Sequence, residues 1–284
     1  DDALKDTRLG PARGDARMGL FRVSLKTGLG KLVEDGGVGT YAYVLDPQGM
    51  LRARADFSEK ARHDTVYRIE SGGASKLLER PAANSEMNPI AGMAAGGKDL
   101  ALGAYGPDGN YTPYLIDLAT GAQRPVALDL EGIDVGGWIS DGTSSAIVGV
   151  HFAGDGDTQR FIDPALQRWY TALRRALPGK SVHFRSWSRD CSIIGLSAEA
   201  PGEPATWYIF DANQKSLSPV GQARPELAEV PVAPTTRIRY SARDGLGIEG
   251  FLTLPPGKTE KDGPFPLLLH PHGGPFARDD ASFD

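Results

Sequence analysis

The chain has 284 residues, 40% hydrophobic and 24% charged, which is the composition of an ordinary globular protein of about two domains. Its net charge of −5 carries no basic block, which argues against nucleic acid and an anionic membrane surface as partners. One cysteine, Cys191, excludes an internal disulfide and a cysteine-based zinc cage, and no stretch approaches the roughly 20 apolar residues that cross a bilayer.

The 36 glycines and 21 prolines imply many turns, hence many short strands rather than long helices. Residues 1–17 mix both charges without a sustained period and contain Gly10-Pro11, so a loop or frayed segment is expected there. Asp1 to Lys5 lacks the charged-then-apolar shape of a signal peptide. Both ends read as cuts, and a fragment of a longer protein is expected, soluble and either cytoplasmic or periplasmic.

From Met18 a repeat begins, each unit opening on an aromatic residue followed by alternating apolar positions and a polar turn. The leading aromatics are Phe21, Tyr67, Tyr114, Phe161 and Tyr208, at intervals of 46, 47, 47 and 47. Each unit has a second landmark, a turn followed by a strand of small apolar residues. These strands are Leu51–Ala55, Leu100–Ala104, Ala146–Val150 and Ile193–Ser197. Several strands per unit at this period match a propeller blade, which takes about 40 to 50 residues. A β-sandwich of similar strand count would need no internal period. Gly103, Ala104, Gly149 and Gly195 suit crowded inner strands. Residues 18–227 are therefore expected to be a partial β-propeller of about four to five blades. Open edges of such a propeller would seek a partner, either a second copy or the remainder of the protein.

One unit is interrupted. Asp163-Pro164 opens a helical pattern that puts Leu166, Trp169, Tyr170, Leu173, Ala176 and Leu177 on one face and stops at Gly179. It reads as a decoration packed on a blade edge, or as a substrate-gating insert. Gly221–Thr236 is rich in proline and small residues and serves as a linker, with the domain boundary at 228–236.

Residues 237–284 form a second expected domain. Ile238 and Tyr240, then Ile248, Gly250, Leu252 and Leu254, alternate like paired strands around the Asp244-Gly245 turn. Pro266-Leu267-Leu268-Leu269 is apolar on both faces, as a strand buried in an α/β sheet would be, and His270-Pro271-His272-Gly273-Gly274-Pro275 follows it.

This order resembles the opening of the catalytic domain in the prolyl oligopeptidase family of serine peptidases, in its acylaminoacyl-peptidase and dipeptidyl-peptidase-like branches. The residues that carry the resemblance are Ser241–Gly245, Gly250-Phe251-Leu252 and Pro271–Pro275 with Arg278-Asp279, and Arg224-Pro225-Glu226-Leu227 stands at the family's interdomain joint. The resemblance implies a mainly β chain, a partial propeller followed by the first strands of an α/β-hydrolase domain. It also implies hydrolysis of peptide bonds in short peptides through an acyl-enzyme. A His-Gly-Gly turn in such a domain presents backbone N–H groups to the oxygen that becomes negative, so Gly273 and Gly274 are the candidate oxyanion residues. No Gly-x-Ser-x-Gly occurs in the sequence, so the Ser, acid and His would lie beyond Asp284 and this chain alone would be inactive.

Two other readings stand beside it, a stand-alone propeller acting as a binding module and an α/β-hydrolase esterase. No cofactor is expected. His270 and His272 have no third ligand at convincing spacing, and Asp155-Gly156-Asp157 lacks the following glutamate of a calcium loop, so no metal is expected either. His63, His151 and His183 read as structural or solvent-exposed.

Overall fold

The protein is described by a computed structural model that covers residues 17–81, 90–105, 111–130, 133, 135–152, 158–274, 279–280 and 282–283. It divides into two compact units, Asp1–Val148 and Gly149–Asp284. The first 16 residues, the Asp155-Gly156-Asp157 segment, Pro275 and Arg278 lie outside the described residues.

Unit 1 opens with a hairpin of β1 (Gly19–Val23) and β2 (Gly30–Asp35). A four-stranded antiparallel sheet follows in the order β3 (Thr40–Leu45), β4 (Leu51–Ser58), β5 (His63–Glu70) and β6 (Gly73–Pro81). A second such sheet holds β7 (Ile90–Met93), β8 (Asp99–Tyr105), β9 (Tyr111–Asp117) and β10 (Gln123–Pro125). Next come β11 (Val135–Ser140) and β12 (Ile147–Phe152), and the division between the units falls inside β12.

In unit 2, β13 (Gln159–Phe161) pairs with β12, completing a three-stranded sheet in the order β11-β12-β13. After it come α1 (Pro164–Ala176) and a third four-stranded sheet of β14 (Ser181–Trp187), β15 (Ile193–Ala200), β16 (Glu203–Asp211) and β17 (Ser216–Gln222). The unit ends in a hairpin of β18 (Thr235–Ser241) and β19 (Gly247–Thr253).

The four-stranded up-and-down sheet is the unit from which propellers are built, and the sequence period maps onto it strand by strand. Tyr67, Tyr114, Phe161 and Tyr208 all fall in the third strand of their sheets, β5, β9, β13 and β16. The small-residue landmarks fall in the second strands, β4, β8, β12 and β15. By the same period, β1 and β2 stand where third and fourth strands stand. The fold is thus mainly β, with blade-type sheets followed by the β18–β19 hairpin.

Alternation buries one set of side chains. In unit 1, Val44, Ala53, Ala55 and Val66 meet Met93, Leu100, Leu102, Ile116 and Leu118 in one core between two sheets. Burying each of the larger aliphatic chains contributes about 1.5–3 kcal/mol. Gly103, Gly149 and Gly195 are crowded by cross-strand neighbours. A Cβ at Gly103 would overlap the Tyr111 ring, and one at Gly149 would meet the Arg160 carbonyl oxygen.

Aspartates set the turns. Asp117 accepts hydrogen bonds from the backbone N–H of Ala119 and Thr120, and Asp211 from those of Asn213 and Gln214. Asp163 takes the N–H groups of Ala165 and Leu166 in the same way, and there the chain continues into α1 with Pro164 in its first turn. The helix therefore follows the third strand of its sheet at the point where the other sheets turn into a fourth. Its buried residues are Leu166, Tyr170 and Leu173, while Ala176, expected on the apolar face, is exposed. Ala176 is the last residue of the helix.

One further expectation needs correction. Pro266–Leu269 forms no strand, and Leu267, Leu268 and Leu269 are 84%, 92% and 78% exposed. A strand exists only as a member of a sheet, and no strand among the described residues pairs with this one.

Candidate functional site

Two features of unit 2 bear on function, the glycine turn and a cleft. The turn is open. His270, His272, Gly273 and Gly274 are all exposed, and the Nδ1 of His272 lies within hydrogen-bond distance of the Gly273 carbonyl oxygen. A Cβ built on Gly273 would meet nothing within 4 Å, so no side chain screens its backbone. Backbone N–H groups in such a turn can serve as fixed donors to a developing oxyanion at little reorganisation cost. The two histidines are not joined by a third ligand: among the described residues no group of three His, Cys, Asp or Glu is placed to hold a metal ion.

The cleft has a volume of about 670 Å³. Its walls come from β14, β15, the turn between α1 and β14, and the first residues of β18, and Asp280 and Ser282 also line it. In β14 the pleat sends Val182 and Phe184 into the core, and His183 falls on the other set, toward the cleft. The His183 Nδ1 lies 3.1 Å from the Thr158 hydroxyl, and its Nε2 lies 3.4 Å from a Glu199 carboxylate oxygen. The imidazole is thus held at both nitrogens, and Glu199 is paired at close range inside the cleft.

Four full cations also line the cleft: Arg174, Lys180, Arg185 and Arg237. Lys180 pairs with Glu203, and Arg237 lies 3.6 Å from Glu249 and over the Phe251 ring. Arg185 occupies a β-bulge: Phe184 faces Leu196 and Ser186 faces Gly195, which leaves Arg185 as the extra residue. Its Nε donates to the Ser197 hydroxyl at 3.1 Å, and its guanidinium lies 5.9 Å from the centre of the Trp207 ring. Of the acidic groups, Asp280 accepts hydrogen bonds from the Ser282 backbone and hydroxyl.

Sequence reasoning set His183 aside as scattered and passed over Arg185 altogether. Their alternate spacing on β14 was visible, but Glu199, Thr158 and Ser197 reach them only through strand register. Unit 1 has its own smaller cavity of about 310 Å³, walled by Tyr105, Tyr111 and Trp138. There the Trp138 Nε1 donates to the Tyr111 hydroxyl at 2.7 Å, and burial pushes the Tyr111 phenol up to about 12.

No family model matches the chain. Among curated proteins it is similar to dipeptidyl aminopeptidase BIII of Pseudoxanthomonas mexicana, with 26% identity over 266 residues. That match takes in 92% of this chain and 38% of the relative, so the chain spans well under half of the curated protein it matches. Among solved structures, a candidate dipeptidyl aminopeptidase IV from Bacteroides ovatus ATCC 8483 aligns with 84% of this chain and 37% of its own. Its TM-score is 0.51 at 11% identity, which is a likeness of fold. A puromycin-hydrolyzing peptidase of Mycobacterium tuberculosis aligns at TM-score 0.48 and 13% identity, over 81% of this chain and 36% of that one. The similarity to dipeptidyl aminopeptidase BIII thus runs along nearly the whole chain and is not confined to residues 237–284.

Proposed function

We propose that this chain is the propeller portion and the oxyanion-side opening of the hydrolase domain of a serine peptidase. The enzyme cleaves peptide bonds in short peptides through an acyl-enzyme. The observation that carries the reading is the similarity to a dipeptidyl aminopeptidase over 92% of the chain. On this reading residues 18–227 are propeller, 228–236 linker and 237–284 the first part of the catalytic domain. Gly273 and Gly274 supply backbone N–H groups to the oxyanion, and their openness in the structure supports that role. The nucleophile, acid and base come from residues outside this sequence. The exposed apolar residues of the first hairpin, Phe21, Val23 and Val33 among them, are covered by the remainder of the protein or by a second copy.

The test uses protein expressed from the complete reading frame and treated with a fluorophosphonate probe, with the labelled residue located by mass spectrometry. A labelled serine outside residues 1–284 is the expected result. Gly274→Pro, which removes one backbone donor, should lower kcat by about 10²-fold while leaving the probe site intact. A full-length protein that takes no label would overturn the reading and leave the propeller as a binding module.

A further inference from the structure

We infer that the unit 2 cleft is a carboxylate-binding subsite with Arg185 as its fork. This rests on the peptidase reading for the identity of the ligand, a short peptide, but not for the existence of the site. Three independent features single out Arg185. It is the extra residue of a bulge, a device that re-aims a side chain out of the regular pleat. Its Nε is tied to Ser197, which is itself only 1% exposed and so sits at a fixed point of the sheet. Its guanidinium lies beside the Trp207 ring. Together these settle one nitrogen and the approach of the group, leaving the two Nη atoms without a hydrogen-bond partner among the described residues.

A planar guanidinium held in this way fits a carboxylate through two parallel hydrogen bonds, and being held beforehand reduces the ordering cost of binding. The rest of the lining fits an anion. The cleft lining carries four basic side chains against two carboxylates: Lys180 is paired with Glu203 and Arg237 with Glu249, while Glu199 lies 3.4 Å from His183 and Asp280 accepts from Ser282. A cleft of about 670 Å³ is large enough for the end of a peptide and far larger than an inorganic ion needs. The carboxylate is either the C-terminus of the peptide or an acidic side chain. The chemistry is the same, and the experiment separates the two.

Binding would be measured by calorimetry on protein from the complete reading frame, treated beforehand with the fluorophosphonate probe so that the peptides are not hydrolysed. Three pentapeptides of equal length serve as probes: one with a free C-terminus and one aspartate, one amidated with the aspartate kept, and one with a free C-terminus and asparagine in its place. The parent protein should lose about tenfold or more in affinity for one of the two altered peptides, naming the source of the carboxylate. Arg185→Gln should bring the preferred peptide down to the level of the altered one and leave that altered peptide's affinity unchanged. Ser197→Ala keeps the charge and frees the fork, and it should produce a smaller loss confined to the same peptide. If Arg185→Gln does not fold, the Ser197→Ala result decides.

Equal affinity for all three peptides, or a variant that weakens every peptide alike, would overturn the subsite. The two readings fail separately. Charge-selective binding in a protein that takes no fluorophosphonate label would sink only the peptidase. A labelled serine without charge selectivity would sink only the subsite.

Discussion

Two third strands of unit 2, β16 and β13, solve one problem in two ways. In the sheet of β14–β17, the third strand β16 is covered by a fourth, and backbone pairs with backbone. In the other, β13 has α1 where a fourth strand would be, and side chains replace the missing backbone. The Tyr170 hydroxyl accepts from the N–H groups of Thr158 and Gln159 at 3.1 and 3.2 Å, and the Gln167 amide oxygen accepts from Phe161 N–H at 2.8 Å. Gln159 and Phe161 are alternate residues, which is the spacing of the N–H groups along one edge of an antiparallel strand. An edge can therefore be closed by a helix, provided that two of its side chains are placed one turn apart.

Both solutions begin at an aspartate that takes the N–H groups two and three residues on. What differs is the fourth residue after it. After Asp117 and Asp211 these are Gly121 and Lys215, with φ of 74° and 52°, and the left-handed step reverses the chain into a strand. After Asp163 the fourth residue is Gln167, inside the helix.

Removing the helix's side chains one at a time should break the equivalence in order of size. Tyr170→Ala deletes a ring that is 1% exposed and packed edge-on against Phe161 and Phe184. It should cost about 3–5 kcal/mol in chemical denaturation. Tyr170→Phe keeps the ring and strands two edge N–H groups, a loss of about 1–3 kcal/mol. Amide exchange at Thr158 and Gln159 should accelerate with it, while β16 amides stay protected. Gln167→Leu should cost about 1–2 kcal/mol, and among the edge N–H groups it should act on Phe161, besides releasing the Thr171 hydroxyl from the Gln167 amide. Asp163→Ala, which removes the N-cap, should cost about 1 kcal/mol in the same assay. If Tyr170→Phe leaves exchange at Thr158 and Gln159 unchanged, the helix is a decoration and the edge is closed by something else.

Much of this was legible in the sequence because it is periodic. The 47-residue spacing of Tyr67, Tyr114, Phe161 and Tyr208 located every third strand, and the hairpin around Asp244-Gly245 appeared where alternation put it. The start of α1 was readable from Asp163-Pro164 because capping is local chemistry. The cleft was not legible. His183, Glu199 and Thr158 are far apart in sequence, and only the register of β14 against β15 and the path of the chain before β13 bring them together. Arg185 was hidden for a stronger reason, since a bulge breaks the very alternation by which strands are read. Leu267–Leu269 misled in the opposite direction, because an apolar run states what a strand would bury but not which partners it has.

The smallest effect expected is a gain. Lys215 adopts φ of 52°, a conformation that crowds the Cβ of any L-residue, whereas the matching position after Asp117 is a glycine. Lys215→Gly relieves that crowding but gives the unfolded chain more freedom, so the two effects partly offset. A net stabilisation of about 0.5–1 kcal/mol is expected, read as a rise in the denaturant midpoint at constant slope. Gly121→Lys should show the reverse sign by a similar amount, since its φ of 74° makes the same demand. Opposite signs at these two turns would establish the left-handed step as the element that sends the chain into a fourth strand. Equal signs would show that surrounding contacts, not the turn residue, decide between strand and helix.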